Sequence, residues 1–264
     1  MIRNHIILFV IFFPVFIFSQ NMPQPEKLEL IKNIGIDVPD RYLFARPLMV
    51  DVDESNNIYV LDQQTHNIKK FDFNGNCMSI LGQWGNGPGD FNAPCNLYYY
   101  NDTLFVGERN SKRIKMLTPE GGYLSSFKLD NPPNPIIYKN GIIYGVIVER
   151  APKREYIIRG LDITGKKVCE FGKPFMEKNP YVNMAKIDIY DNKIYVAADY
   201  YPEMRVYTLT GELIKKETFP NLEYRKIKQI KENYDPKNYI MRNRRFRVIT
   251  FFRGIQVNRE GIFL

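Results

Sequence analysis

Histidine and cysteine are scarce in this chain, with two of the first and three of the second among 264 residues. Cys77, Cys95 and Cys169 form an odd set, so at least one thiol lacks a disulfide partner. None stands at a Cys-x-x-Cys spacing, which excludes a zinc ribbon or a thioredoxin-like motif. The three read as small apolar thiols placed in strands. His5 falls in an N-terminal leader, which leaves His66 alone, too little for a histidine metal site or a proton shuttle; it reads as an exposed loop residue. Also missing are a serine nucleophile elbow, a phosphate loop and a zinc motif. No apolar run is long enough to span a bilayer: the longest, Ile6 to Phe18, has 13 residues and is broken by Pro14, whereas a spanning helix takes about 20. Arg3 and His5 before that run and Ser19 after it mark a signal peptide over residues 1–19, cleaved near Ser19 or Gln20, with an uncleaved anchor as the alternative. No cysteine follows the run, so a lipid-anchored start is not indicated.

What is present is apolar and aromatic material, 44% and 14% of the chain, enough for one large core and too much for disorder. Its arrangement repeats. A short aliphatic-aromatic strand follows a turn at Asn57–Asp62, Thr103–Glu108, Gly141–Gly145 and Lys193–Asp199. After each comes a strand ending at a glycine turn, and Gly75, Gly122, Gly165 and Gly211 lie 47, 43 and 46 residues apart. That period accommodates four strands of about 5–6 residues with their hairpins, which is one propeller blade. Helical 3.6-residue periodicity, the mark of a solenoid of helix pairs, is absent from these repeats. One such sheet cannot bury both faces alone, so the blades must stack around an axis. In the first repeat the strands read as Leu48–Val52, Asn57–Leu61, Ile68–Phe73 and Met78–Leu81.

The segment from Leu81 to Pro94, with Gly82, Gly85, Gly87, Pro88, Gly89, Phe91 and Pro94, resembles the inter-blade connection of NHL repeats, a Gly-x-x-Gly-x-Gly-Pro-Gly-x-Phe-x-x-Pro pattern. A degenerate echo stands at Phe171-Gly172. The resemblance covers about residues 26–221 and implies an all-β, six-bladed propeller of four-stranded antiparallel blades, of a kind found in many exported bacterial proteins. Its glycines permit close backbone approach, which is an architectural task rather than a chemical one.

Blades are expected at 45–91, 92–131, 134–174 and 183–221, with part of a fifth at 246–264. Within 20–44, Leu28–Ile34 reads as a closing strand. Six blades of about 45 residues exceed this length, so the expectation is a truncated member or one completed by a partner. Either leaves an open edge prone to self-association.

From Lys215 to Arg259 thirteen Lys or Arg face four acids, and the rest of the chain is close to neutral. Tyr224, Ile227, Ile230 and Tyr234 fall at helical intervals, so residues 222–245 are expected to form a basic insertion that starts as an amphipathic helix. Arg225, Lys226, Lys228, Lys231, Arg242, Arg244 and Arg245 then make an anion-binding surface, or a solvated face joining two blades. Export argues against nucleic acid as the anion.

In a propeller the loops joining second to third strands gather with the inter-blade connections on one face, where ligands bind. That face is expected to present Asp62, His66, Trp84, Glu108, Arg109, Arg150, Asp199 and Tyr200. Asp62 and Asp199 are candidate calcium ligands by the resemblance to propeller hydrolases and lactonases; the alternative is that each caps its own turn. Otherwise no cofactor and no catalytic residue is indicated. Asn101-Asp-Thr103 is a glycosylation sequon in a turn. The readings rank as an exported binding or scaffold module for a protein, peptide or glycan, then a metal-dependent hydrolase, lactonase or lyase, then attachment to an anionic surface.

Overall fold

The computed structural model describes residues 33–35, 38–147, 155–175, 183–199, 203–218, 256–258 and 261–263. Its first sheet is an antiparallel meander of β1 (Pro47–Val52), β2 (Ile58–Asp62), β3 (Asn67–Phe71) and β4 (Cys77–Leu81). The same four-stranded meander recurs as β5 (Pro94–Tyr100), β6 (Thr103–Glu108), β7 (Arg113–Leu117) and β8 (Tyr123–Lys128). The third is β9 (Ile136–Lys139), β10 (Ile142–Val146), β11 (Ile158–Asp162) and β12 (Lys167–Phe171). The fourth is β13 (Ala185–Tyr190), β14 (Lys193–Ala198), β15 (Glu203–Thr208) and β16 (Leu213–Thr218). A hairpin of β17 (Gln256–Asn258) and β18 (Gly261–Phe263) follows, with β17 against β13. Among the described residues the sole helical element is a single 3-10 turn, Asp40–Tyr42, and no helix is long and apolar enough to cross a membrane.

Two turn chemistries set the period. The hairpins joining first to second strands in blades two to four place Asn101-Asp102, Asn140-Gly141 and Asp191-Asn192 at φ of 46–80°. Both central residues are left-handed, the type I′ geometry whose twist matches paired strands. The hairpins joining third to fourth strands carry Gly75, Gly121, Gly165 and Gly211 at φ of 79–93°, spaced 46, 44 and 46 residues apart. In each, the side chain of Asp72, Thr118, Asp162 or Thr208 accepts the amide N–H four residues on, at 2.8–3.1 Å. Each ladder also slips by a one-residue bulge beside its glycine. The turn glycine of the second repeat is therefore Gly121, not its neighbour Gly122, and the true spacing is the more regular one.

Three cores hold the stack together, each shared by successive blades. Tyr59, Leu61, Ile68 and Leu81 of blade one meet Leu97, Tyr99, Leu104 and Val106 of blade two. Phe105, Ile114, Met116 and Phe127 meet Ile136, Ile143 and Leu161. Tyr144, Val146, Ile158 and Phe171 meet Ile187, Ile194, Val196 and Tyr207. Burying one such side chain contributes roughly 1.5–3 kcal/mol, so each sheet's stability is vested in its neighbours, as the repeat requires.

One sequence expectation changes, and two others are not reached. The described residues make four blades and one hairpin, not six blades, because the family pattern, and not these residues, carried the count of six. The helix expected within 222–245 and the closing strand expected over Leu28–Ile34 lie outside the described residues, apart from residues 33 and 34, which are not in a strand. The three cysteines are free and sit in strands β4, β5 and β12, with Cys95 buried and its thiol pushed up by burial.

Candidate ligand site on the loop face

Asp62 and Glu108 end the second strands of blades one and two, and both turn inward. Asp62 accepts the amides of Ala45 at 2.7 Å and Arg46 at 2.9 Å and takes Lys69 Nζ at 2.9 Å. Burial alone would raise its carboxyl, but these donors hold it below the ordinary aspartate value. Glu108 accepts the Asn92 amide at 2.7 Å and the Ser111 hydroxyl, with Lys115 Nζ at 3.6 Å. Each acid thus ties a β2–β3-type loop to the connection entering its blade, so neither carboxylate is left for a ligand.

The lysines opposite them belong to a repeated motif that the sequence reading missed. Lys69, Lys115, Arg159 and Arg205 each stand six residues before a turn glycine and three before its Asp or Thr, on the third strand of every blade. Their partners are Asp62, Glu108, Glu170 and Glu203. Three of the cations lie over rings from the connections, Phe44, Phe91 and Phe175, at 5.4, 5.8 and 4.3 Å. Lys115 also donates to the carbonyls of Gly87, at 2.8 Å, and Asp90. In these three blades the cation therefore latches the connection onto the sheet. The signal was a [Lys/Arg]-x-x-[Asp/Thr]-x-x-Gly spacing present in four copies.

The same geometry shows that residue 35 and residues 38–47 match their counterparts in the connection at 82–94. Gly35 and Gly82 have φ of 79° and 77°, and an added Cβ at either would strike Phe44 or Phe91, nine residues on. Pro47 and Pro94 follow three residues after those rings.

His66 is half-buried rather than exposed; its Nδ1 accepts the Ala93 amide at 3.2 Å, joining the first loop to the next connection. Arg109 is exposed beside it on the loop face. Trp84 is 70% exposed and pairs by one bridge with the buried Phe91. Asp199 is buried, with one oxygen 3.6 Å from Lys186 Nζ and the other without a hydrogen-bond partner; burial raises its carboxyl against the pull of Lys186. Arg150, Tyr200 and the basic residues from Arg225 to Arg245 lie outside the described residues.

The loops do form one cavity here. It has a volume of about 450 Å³ and is lined by Asn86, Asn110, Ser111, Lys112, Arg113, Lys115, Lys128 and Asp130 with Glu108. Asn92 joins its walls, accepting from Asn110 at 3.1 Å and donating to Asn86 at 3.0 Å. The opposite face holds a second cavity of about 460 Å³ of the other sign, with Asp53, Glu54, Asp102 and Glu120 around Lys70. Along the inner strands, Asp51 accepts the Tyr99 amide at 2.6 Å, and burial pushes its carboxyl up to about 6. Asp51 and Asp188 both raise the Tyr98 hydroxyl, after burial itself. Among the described residues no group of three or more His, Cys, Asp or Glu could hold a metal ion.

Four-stranded blades stacked face to face define a β-propeller. Solved structures agree. The chain is similar to an exported protein from Bacteroides fragilis NCTC 9343, at 14% identity and a TM-score of 0.60 over 76% of this chain and 60% of that one. A streptogramin B lyase matches at 18% identity and 0.52, over 72% and 59%. A member of the DUF4221 family from Bacteroides vulgatus ATCC 8482 matches at 13% and 0.52, over 68% and 59%. The chain spans about 60% of the length of these structures. No family model and no curated protein matches it.

Proposed function

We propose that this chain is an exported binding module of NHL-repeat type that recognises a protein, peptide or glycan through its loop face. The observation that carries this reading is the cavity over blade two: it is polar, open to the loop face and walled by a rigid sheet, while its buried acid Glu108 is spent on holding loops together. Rigid sheets presenting variable loops are a general binding design. The likeness to an exported protein and the signal-like leader support a location outside the cytoplasm. Probing immobilised peptides and glycans with the purified protein tests it. Binding should fall on Asn110→Ala or Arg113→Ser and survive Glu120→Ala on the opposite face; the reverse pattern would overturn the reading.

A second reading, an enzyme of the hydrolase, lactonase or lyase type, is favoured by Asp51 alone. A half-buried carboxyl raised to about 6 beside Tyr98 suits proton transfer. Elemental analysis for bound calcium or zinc discriminates it. Attachment to anionic surfaces through Arg225–Arg245 is the third, tested by the salt dependence of binding to acidic vesicles.

A further inference from the structure

Arg113 and Lys128 stand directly opposite each other across the β7–β8 ladder. Like charges so placed repel and destabilise the strand pair. Among the described residues neither has a carboxylate within ion-pair distance, and both line the cavity over blade two. Lys112 precedes them in the loop with φ of 54°, a left-handed position lysine rarely takes, its carbonyl held by the Leu129 amide at 2.8 Å. Lys115 is neutralised within the fold by Glu108, so three cations face the cavity against the single carboxylate of Asp130. The remaining lining is amide and hydroxyl: Asn86, Asn110 and Ser111.

Trp84 adds a second, independent mark. It lies two residues before Asn86 on the same connection, and its indole is 70% exposed although its bridge partner Phe91 is fully buried. An exposed indole on a rigid, hydrogen-bonded loop is a flat anchor with little conformational entropy left to lose.

Resting on the loop-face reading above, the geometry points to an anionic saccharide, carrying carboxylate or sulfate groups, as the ligand of this cavity. Arg113, Lys128 and Lys112 meet the acidic groups, Asn86, Asn110 and Ser111 meet hydroxyls, and Trp84 stacks on a ring face. The repulsion across β7–β8 is relieved when the anion sits between the two cations.

Trp84 is the chain's only tryptophan, so emission excited selectively from tryptophan, and not from the 18 tyrosines, reports on Trp84 alone. The protein is titrated with an alginate hexasaccharide, a heparin hexasaccharide and uncharged cellohexaose, with calorimetry in parallel. A saturable change in Trp84 emission with an acidic sugar and none with cellohexaose is expected, and the two acidic arms separate carboxylate from sulfate. Affinity should fall at least about tenfold in the R113S/K128S variant and again on raising salt from about 0.05 to about 0.5 M. That variant should melt at or above the parent temperature, because it removes a repulsion; W84A provides the second variant, with weaker binding and unchanged melting. Silence of Trp84 with both acidic sugars overturns the inference, as does equal affinity of R113S/K128S. So does loss of binding only when Arg225, Lys226, Lys228 and Lys231 are replaced by serine. A glutamate-rich peptide that binds in place of either sugar sinks the saccharide but leaves loop-face binding standing; loop-face variants that affect no ligand sink both.

Discussion

Val50 and Leu97 occupy the same place in successive blades, each on the inner strand and each opposite a valine of the second strand, yet Val50 is 48% exposed and Leu97 2%. Ile136 and Ile187, at the same place in blades three and four, are 2% and 6% exposed. Leu48 and Val52 share the exposure of Val50. Farther out on the same face of blade one, Lys69 and Phe71 are fully buried, with Phe44 against both. The contrast separates two contributions that are merged elsewhere. A connection covers the third-strand cation; a neighbouring sheet covers the inner strand. Blade one has the first on this face and shows a bare apolar stripe where the second would lie.

The largest expected effect tests that separation directly. Leu97→Asp puts an unpaired charge into the core between blades one and two and should cost at least about 4 kcal/mol, unfolding the chain in mild urea. Val50→Asp at the matching place should shift the urea midpoint by less than about 1 kcal/mol. If Val50→Asp is as damaging as Leu97→Asp, the stripe is covered in solution by another sheet.

Next in size are the latch acids. Asp62→Ala and Glu108→Ala each strand a buried lysine, at a cost of about 3–5 kcal/mol. The two costs should agree, because connections of the same design cover both lysines. A much cheaper Asp62→Ala would mean that residues 38–47 do not seal blade one as residues 82–94 seal blade two.

Asp51 is on the covered side of the strand whose other side carries Val50, and its effect depends on pH. Burial pushes its carboxyl up to about 6 in the folded chain, from the ordinary 3.8. The folded state therefore holds the extra proton between those values, and stability falls as pH rises from about 4 to about 6, by up to about 3 kcal/mol. Asp51→Asn keeps an acceptor for the Tyr99 amide and cannot ionise. Its advantage over the parent should grow across that window and stay level above it, as read from melting temperatures at stepped pH. An unchanging difference would mean that Asp51 is not buried against blade two.

How far these features were legible follows from the same physics. Turns that demand left-handed residues advertise themselves, so Gly75, Gly165 and Gly211 marked the blades, and only the Gly121-Gly122 doublet was misassigned by one residue. The latch was illegible because a lysine in a sequence reads as solvated; nothing local to Lys69 or Lys115 announces burial, and only the fourfold spacing to the turn glycine could have. The connection at Gly35–Pro47 escaped notice because it keeps the glycine, ring and proline of its copy but not the glycine run between them. Trp84, Glu108 and Arg109 were placed on the loop face from blade logic, whereas the cavity joins Asn86, Asn110, Arg113 and Lys128 from separate strands and loops that only the fold brings together.

The smallest stability effect is expected at Trp84, and it is informative for being small. Trp84 and Phe91 are bridged across one connection, but the ring of Phe91 fills the space against Gly82 and beneath Lys115 while the indole of Trp84 stands in solvent. Phe91→Ala should cost about 3–5 kcal/mol, as core aromatic truncations do, and Trp84→Ala no more than about 0.5 kcal/mol. Urea midpoints of the two variants measure the gap. On the proposed loop-face reading, a tryptophan that the fold does not need, held on a loop that the fold does need, is there for what it meets outside the chain; should Trp84→Ala prove as costly as Phe91→Ala, the indole is a packing residue and the loop face loses its anchor.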